Sequence, residues 1–411
     1  MTAYEFIISE IDKTTKLSCE GDNTLVSLPF PFTVPCVKDT FLEMYYWDTY
    51  FTNKCLCLIG KGEQAINNVK NLAYMLKKFG KIPNGNRAHY LGRSQPPFFG
   101  LMLADVISNK HFAHGITVEA AYNLLKAEYS FWERDRKTAS GLNAYGCDLT
   151  DKEALGNFGV YNEVHTERYF ERTGISLKNT PENGRHVIAE CESGWDFTPR
   201  FNGKCMNYNA VDLNSLLYFD EVLLADWASK LKREKESEYF KEKAESRKER
   251  IQSLCFAGGV YRDYDFVNKK ASPVISCAAL FPYFVGLSCD VSSFISALSR
   301  LEREYGVVAA ETDARNFQWA EPNGWAPLQY VAVKAAENLG LKEIAVRLSE
   351  KYISTTERLF AKTGGLWEKY NAITGDLDVS SEYGTPEMLG WSAGVFVALK
   401  EFKQSGYEDL V

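Results

Sequence analysis

Two segments of the sequence echo each other, and this repetition constrains the fold more than any other feature of the chain. Residues 256–264 read FAGGVYRDY and residues 361–370 read AKTGGLWEKY. Each segment follows a charged stretch, turns on a pair of glycines, and then presents an aromatic residue, a charged residue and a tyrosine. Repetition on this scale is typical of helical hairpins arranged in a ring. The sequence therefore predicts an all-α architecture built from repeated small units.

Helices are predicted in pairs with short joints, because apolar residues recur at helical spacing on both sides of polar turns. The predicted pairs are residues 41–60 with 63–79, 97–106 with 117–136, 274–287 with 292–305, and 325–338 with 341–360. A largely buried helix is predicted at 211–231, a charged and solvent-facing helix at 232–252, and a last helix at 390–404. The polar region up to about Arg185 is predicted to be irregular, and strand-like alternation is scarce and short.

About twelve helices favour an α/α toroid in which the loops at one end form a pocket. An α-solenoid is the alternative, but a solenoid does not need so many aromatic-rich loops. The 411 residues can bury a large core, and length alone would suggest two or three domains. No linker rich in proline, glycine or serine divides the chain, so we expect a single domain over residues 1–411.

Composition limits the partners and the location of the protein. The net charge of −7 and the pI near 5.5 argue against a nucleic-acid partner. A membrane span is not expected, because no apolar run reaches 18 residues. The ten cysteines are scattered and form no CxxC pair, and the first residues do not look like a secretory signal. These features predict reduced thiols and a cytoplasmic location.

A metal site is not expected from the histidines. His111 and His114 have a spacing that could suit a metal, but no cysteine or further histidine stands close by. Two ligands do not complete a tetrahedral zinc site.

The segment ESGWDFTPRF, residues 192–201, carries the strongest candidate for an acid. Asp196 lies between Trp195 and Phe197, and a carboxyl group held against aromatic rings has its charged form disfavoured. Such a group can give a proton to a departing oxygen. The alternative is a buried turn in which Asp196 caps a helix and Trp195 packs in the core.

Four loops share a composition that suits carbohydrate binding. They are rich in tryptophan and tyrosine beside acids, amides and arginine, and they cover residues 43–51, 84–99, 192–201 and 318–330. Aromatic faces cover the apolar side of a pyranose, while acids, amides and arginine bind its hydroxyl groups. Any one of these loops could be core packing, but the four together favour a sugar site.

The same loops resemble those of the trehalase family of glycoside hydrolases, in the family's order and across nearly the whole chain. Trp47, Asp48 and Tyr50 match the end of the family's first signature. NGNR with YLGRSQPPFF is closely matched at 84–99, SGWDF at 193–197, and QWDxPxGWAP at 318–327. The resemblance implies an (α/α)6 toroid with long active-site loops at one end, and metal-free inverting hydrolysis of an α-glucosidic bond. It also implies no cofactor and a small carbohydrate substrate.

Residue roles follow from the resemblance. Asp196 matches the general acid, and Glu368 matches the general base in a stretch that reads EKYN here and EKYD in the family, so Asn371 departs from the motif. The predicted substrate-binding residues are Trp47, Asp48, Asn84, Arg93, Ser94, Gln95, Gly194, Trp195, Gln318, Trp325 and Glu382. Lys369 would favour an ionised Glu368, whereas Asp196 lies between aromatic rings, so the two carboxyl groups suit opposite roles.

Several departures from the family leave the substrate open. Thr40 stands where the family's PGGRF element has arginine, and Ala320 replaces the aspartate of QWDxP. The family's PRPES element has no clear equivalent at 159–173, where Arg168 or Arg172 could take the place of its arginine. Because arginine offers a planar set of donors, its loss should alter specificity before chemistry. Trehalose hydrolysis, hydrolysis of another α-glucoside or α-mannoside, and non-catalytic sugar binding remain the alternatives.

Overall fold

The computed structural model describes residues 1–17, 24–38, 40–108, 115–156, 167–312, 317–379 and 384–408. The described chain is mainly helical. Its α-helices are α1 (Ala3–Glu10), α2 (Tyr46–Leu58), α3 (Gly62–Phe79), α4 (Phe99–Ser108), α5 (Val118–Asp135), α6 (Asp151–Gly156), α7 (Glu167–Thr173), α8 (Pro181–Glu192), α9 (Val211–Lys230), α10 (Glu234–Arg250), α11 (Phe281–Phe284), α12 (Val291–Leu301), α13 (Ala326–Asn338), α14 (Lys342–Thr363) and α15 (Gly390–Glu408).

The strands are two or three residues long, as the scarce alternation predicted. They are β1 (Thr15–Lys16), β2 (Phe32–Thr33), β3 (Tyr208–Asn209), β4 (Phe256–Ala257), β5 (Val260–Tyr261), β6 (Tyr264–Asp265), β7 (Lys270–Ala271), β8 (Glu302–Arg303), β9 (Gly306–Val307), β10 (Asn323–Trp325) and β11 (Lys369–Asn371). All pairings are antiparallel: β1 with β2, β3 with β6 and β6 with β7, β4 with β5, β8 with β9, and β10 with β11. The echoing segments differ in structure: β4 and β5 pair with each other in the first, whereas the second contains the end of α14 and leads into β11, which pairs with β10.

Helices α2, α9 and α13 are buried on most of their faces, whereas their partners α3, α10 and α14 are amphipathic or largely polar. Helix α2 packs on α3 and α15, α9 on α10, and α13 on α14. An all-round buried helix belongs inside a structure and an amphipathic helix belongs on its outside. The hairpins therefore form two layers, with the first helix of each pair inside.

The crossing of α2 and α15 depends on one glycine. A Cβ atom on Gly394 would overlap the carbonyl oxygen of Phe51 in α2. Because no side chain stands between the two backbones, α15 can lie directly against α2. This contact holds the start of α15 close to the start of α2. The first turns of both helices carry residues of the candidate site.

The structure corrects three helix predictions. The helix expected at 41–60 begins only at Tyr46. The helix expected at 274–287 is reduced to a 3₁₀ turn at Cys277–Leu280 followed by α11, which has Pro282 in its first turn and is followed by Gly286 at φ +71°. The polar region up to Arg185 is not wholly irregular, because it contains α6, α7 and the start of α8.

The other predicted helices match α3, α4, α5, α9, α10, α12, α13, α14 and α15 to within a few residues. Across the residues that the structure describes, no helix is long and apolar enough to cross a membrane.

Candidate active site

One pocket gathers loops from both halves of the chain. It encloses about 590 Å³ of empty space up to its open mouth, within the roughly 300–1,000 Å³ of small-molecule sites. Its lining residues are Phe41, Tyr45, Trp47, Asp48, Asn84, Tyr90, Arg93, Gln95, Cys191, Gly194, Asp196, Gln318, Trp319, Trp325, Glu368, Met388 and Trp391. Both predicted catalytic carboxyl groups and most of the predicted substrate-binding residues thus lie around one cavity.

Two predicted substrate-binding residues, Ser94 and Trp195, do not line the pocket. Ser94 is buried below the pocket, where its hydroxyl donates to the carbonyl of Ile82 at 2.6 Å. Trp195 is fully buried and does not line the cavity. Glu382 lies outside the described residues, as do His111 and His114.

The loop that follows α8 carries Asp196, which is half-buried at the pocket wall. Gly194 has φ +74° and Phe197 has φ +58°, so the backbone takes left-handed conformations on both sides of Asp196. The side chain of Thr198 caps the following 3₁₀ turn, and Ser193 ends α8. Asp196 is therefore not the capping residue, and its carboxyl group faces the cavity instead.

Trp195 anchors this loop in the core, as the alternative interpretation of the segment expected. Its ring stacks on Trp319 with the centroids 5.3 Å apart, and the guanidinium of Arg200 lies 4.4 Å from the ring centroid. Trp319 in turn stacks on Trp325 at 3.8 Å, with the two rings nearly parallel at 4°. This row of rings connects the loop of Asp196 to the strand β10 that faces β11.

Glu368 lies directly before β11 and is 1% exposed. Strand β11 pairs with β10 so that Lys369 stands opposite Trp325. The ammonium group of Lys369 forms an ion pair with the Glu368 carboxylate and lies 4.7 Å from the centroid of the Trp325 ring. The buried carboxylate of Glu368 therefore has a cation in direct contact with it.

Asp48, in the first turn of α2, brings a third carboxyl group into the pocket. It is 7% exposed, and burial raises its pKa to about 8, with further contributions from the charges of Glu368 and Asp196. Both predicted catalytic groups therefore act electrostatically on Asp48. At neutral pH Asp48 holds a proton and can donate a hydrogen bond to a sugar oxygen.

Other polar and aromatic groups of the pocket contact one another. Arg93 donates from Nε to Oδ1 of Asn84 at 3.1 Å, and its guanidinium lies 5.2 Å from the centroid of the Tyr90 ring. The hydroxyl groups of Tyr45 and Tyr90 lie 2.8 Å apart, and that of Tyr45 donates to Glu43 at 2.9 Å. These contacts fix donors and rings in place before a substrate arrives.

The pocket also contains residues that the sequence analysis did not assign to it. They are Phe41, Tyr45, Tyr90, Cys191, Trp319, Met388 and Trp391. Tyr45, Tyr90 and Trp319 lie within the four aromatic-rich loops, so composition could have identified them. No sequence signal marks Phe41, which has φ +49°, or Met388.

The departures from the family pattern occupy different places. Asn371 closes the turn after β11, since its Oδ1 accepts from the backbone N–H groups of Ile373 and Thr374. Ala320 is fully buried, and Thr40 lines a neighbouring cavity rather than the pocket. The guanidinium of Arg172 lies 5.8 Å from the centroid of the Phe197 ring, and Arg172 is not part of the pocket wall.

Within the described ranges, no three His, Cys, Asp or Glu side chains are arranged to hold a metal ion.

Comparison with known proteins identifies the family. The family model Trehalase matches residues 5–403. The periplasmic trehalase of Xanthomonas oryzae pv. oryzae is 34% identical over 405 residues, which cover 92% of this chain and 69% of the relative. The periplasmic trehalase of Pseudomonas aeruginosa is 31% identical over 405 residues, with 92% and 72% covered.

Solved structures agree with the helical layers. The neutral trehalase of Saccharomyces cerevisiae superposes with a TM-score of 0.78 at 25% identity, covering 100% of this chain and 82% of that one. A mannosylglycerate hydrolase from Thermus thermophilus superposes with a TM-score of 0.66 at 14% identity, covering 97% and 99%, and shows likeness of fold only. The predicted (α/α)6 toroid is thereby confirmed.

The comparisons also correct the predicted location. The curated relatives above are named periplasmic trehalases, which points to the periplasm, so the cytoplasmic location expected from the cysteines and the first residues is wrong. Cysteine usage and the first residues were insufficient because both are indirect indicators of a compartment.

A family match over nearly the whole chain, relatives above 30% identity and the shared fold lead to one conclusion: the chain belongs to the trehalase family and is a glycoside hydrolase.

Proposed function

We propose that this protein hydrolyses α,α-trehalose to two molecules of glucose with inversion, using Asp196 as the general acid and Glu368 as the general base. The observation that carries the proposal is that both carboxyl groups line one pocket together with Asp48, and that the charges of both act on Asp48. Residues 1–411 would form the single catalytic domain. A small α-linked disaccharide is the partner, and with a net charge of −7 neither nucleic acid nor a membrane is expected to bind.

The reaction needs a proton donor and a proton acceptor on opposite faces of the sugar. Asp196 gives its proton to the glycosidic oxygen as the bond from that oxygen to the anomeric carbon breaks. Glu368, whose carboxylate is paired with Lys369, takes a proton from a water molecule that attacks the opposite face. The water adds with inversion, so each trehalose yields one β-glucose and one α-glucose.

Sugar recognition is assigned to the groups that line the cavity. Asn84, Arg93, Gln95 and Gln318 offer donors and acceptors for hydroxyl groups, and the indole rings of Trp325 and Trp47 offer apolar faces. Asp48 adds a carboxyl group near both catalytic residues.

A second candidate is hydrolysis of another α-glucoside or an α-mannoside. It is favoured by Thr40, whose short side chain lines a neighbouring cavity instead of placing a guanidinium in the pocket. Fewer fixed donors would relax the discrimination between sugars.

The test is a proton NMR time course with trehalose, followed by a panel of α-linked glucosides and mannosides. Early signals of α- and β-glucose in equal amounts would support the proposal. Early β-product from another α-glycoside, with none from trehalose, would identify that glycoside as the substrate. Binding without turnover across the panel would indicate a sugar-binding protein.

Two variants assign the acid. Asp196→Asn keeps the shape of the side chain but removes the transferable proton, so kcat should fall by about 10²–10⁴-fold with the melting temperature unchanged. Asp12→Asn is the matched control, because Asp12 is 70% exposed in a surface ion pair with Lys61. Retention of most activity in Asp196→Asn would remove Asp196 from the acid role.

A further inference from the structure

Glu190 lies in the last turn of α8, three residues before the loop of Asp196 begins at Ser193, and the chemistry described so far does not use it. It is 1% exposed and is not part of the pocket wall. A carboxyl group this deeply buried is costly unless its oxygens are hydrogen-bonded. Its partners therefore indicate what it does.

Glu190 fastens both ends of the loop that carries Asp196. Its backbone carbonyl accepts from the N–H of Ser193 at 3.1 Å and from the hydroxyl of Ser193 at 2.6 Å. Its side-chain Oε1 accepts from the N–H of Thr198 at 3.0 Å. The residues between these two attachments include Asp196, so a single residue closes the loop from inside.

The loop needs such a closure because its backbone is strained. Phe197, directly after Asp196, has φ +58°, a conformation that is unfavourable for a bulky side chain. The N–H group that follows it belongs to Thr198 and is the one that Glu190 holds. Release of this hydrogen bond would let Phe197 relax and would turn Asp196 away from its place in the pocket wall.

A second residue fixes the rotamer of Glu190. The hydroxyl of Tyr169 in α7, itself buried, donates to Oε2 at 2.9 Å. Burial raises the pKa of Glu190 to about 8, and the nearby charge of Asp196 adds to the shift. Glu190 is thus largely neutral at pH 7, and a glutamine at this position would reproduce both its charge and its acceptor oxygen.

We propose that Glu190 is a positioning residue that holds the loop Ser193–Thr198 so that the Asp196 carboxyl meets the glycosidic oxygen of the substrate. The inference rests on the proposed function, because it assumes that Asp196 donates the proton. Its role differs from that of a core residue: it supports one step, the protonation of the leaving oxygen, and has no part in binding the sugar.

The test compares two substrates that differ in their need for that proton. In trehalose the leaving oxygen must be protonated, whereas in α-D-glucosyl fluoride the C–F bond breaks and fluoride departs with its electron pair. Glu190→Ala should lower kcat on trehalose by about 100-fold with KM changed less than about twofold, since a small misplacement of a reacting group has effects of that size. On the fluoride the loss should stay below about fivefold.

Two further variants separate positioning from folding. Glu190→Gln keeps an acceptor for Thr198 and should restore kcat on trehalose to within about fivefold of the wild type. Tyr169→Phe removes only the bond to Oε2 and should give a smaller loss on trehalose, with the fluoride again spared. If Glu190→Ala does not fold, these two variants carry the comparison.

The outcomes are distinct. Equal losses on both substrates, or a KM that rises while kcat holds, would show a merely structural role and overturn the inference. Full activity of Glu190→Ala on trehalose would overturn it as well. A wild-type protein that cleaves the fluoride but no α-glycoside would refute the proposed function and, with it, any acid step for Glu190 to support.

Discussion

Arg200→Met should destabilise the protein strongly, because Arg200 lies between two buried carboxylates and forms an ion pair with each of them. Its side chain is 0% exposed, and those of Asp212 and Asp263 are 1% and 2% exposed. The guanidinium donates to Asp212 at 3.0 and 2.7 Å and to Asp263 at 3.0 and 2.8 Å. Methionine fills a similar volume but leaves both carboxylates without their counter-charge.

The expected cost follows from this geometry. Removing one partner of a buried ion pair costs about 3–5 kcal/mol. At about 2–3 °C per kcal/mol for a large domain, the melting temperature should fall by roughly 6–15 °C. Activity should fall too at temperatures well below the melt, since the same guanidinium lies 4.4 Å from the centroid of Trp195, which anchors the loop of Asp196.

The assay is thermal unfolding followed by circular dichroism at pH 7. Lys230→Met is the control, because Lys230 is 59% exposed in a helical pair with Asp226, and such pairs contribute less than about 1 kcal/mol. The combined replacement of Arg200 by methionine and of Asp212 and Asp263 by asparagine should recover part of the loss. A melting temperature of Arg200→Met within about 2 °C of the wild type would refute the reasoning.

Two further predictions concern the site and the core. Gly194→Ala should lower kcat/KM at least about tenfold and destabilise the protein by about 1–3 kcal/mol. The reason is that Gly194 has φ +74° and that a Cβ atom there would lie 3.0 Å from the Trp47 ring. Unchanged kinetics would contradict this prediction. Burial raises the pKa of Glu128 from 4.5 to about 8. Because the unfolded chain loses this proton at lower pH than the folded chain does, the free energy of unfolding decreases as the pH rises from 4.5 to 8. Glu128→Gln should therefore melt like the wild type near pH 4.5 and about a few °C higher at pH 8, and a gain that does not grow with pH would exclude this cause.

Helices with a regular apolar face could be predicted from the sequence because their signal is local. Helix α3 follows its periodicity and ends where Gly80 takes φ +72°. The helix expected at 274–287 failed because a run of apolar residues is also compatible with a buried turn, and Pro282 limits the helix to α11. The polar helix α8 was missed in part because its first turns lack an apolar face in the sequence.

The candidate site could be predicted only where its residues belong to a motif. Asp196, Glu368 and the loops around Asp48 and Arg93 are recognisable from residue type and order. Phe41 and Met388 are not, because their place in the pocket wall depends on how distant loops meet. Ser94 belongs to a motif, yet its side chain points into the core.

The sequence by itself determined the family, the helical hairpins and the chemical groups available, since these depend on residue type and local spacing. The tertiary structure alone decided the environment of those groups. It brought Asp48 beside Asp196 and Glu368, and burial there raises its pKa to about 8. It also placed Glu190 behind the loop of Asp196 and Lys369 against Glu368. Solvent exclusion and hydrogen bonds between distant segments have no local signature, and they determine which carboxyl group holds a proton.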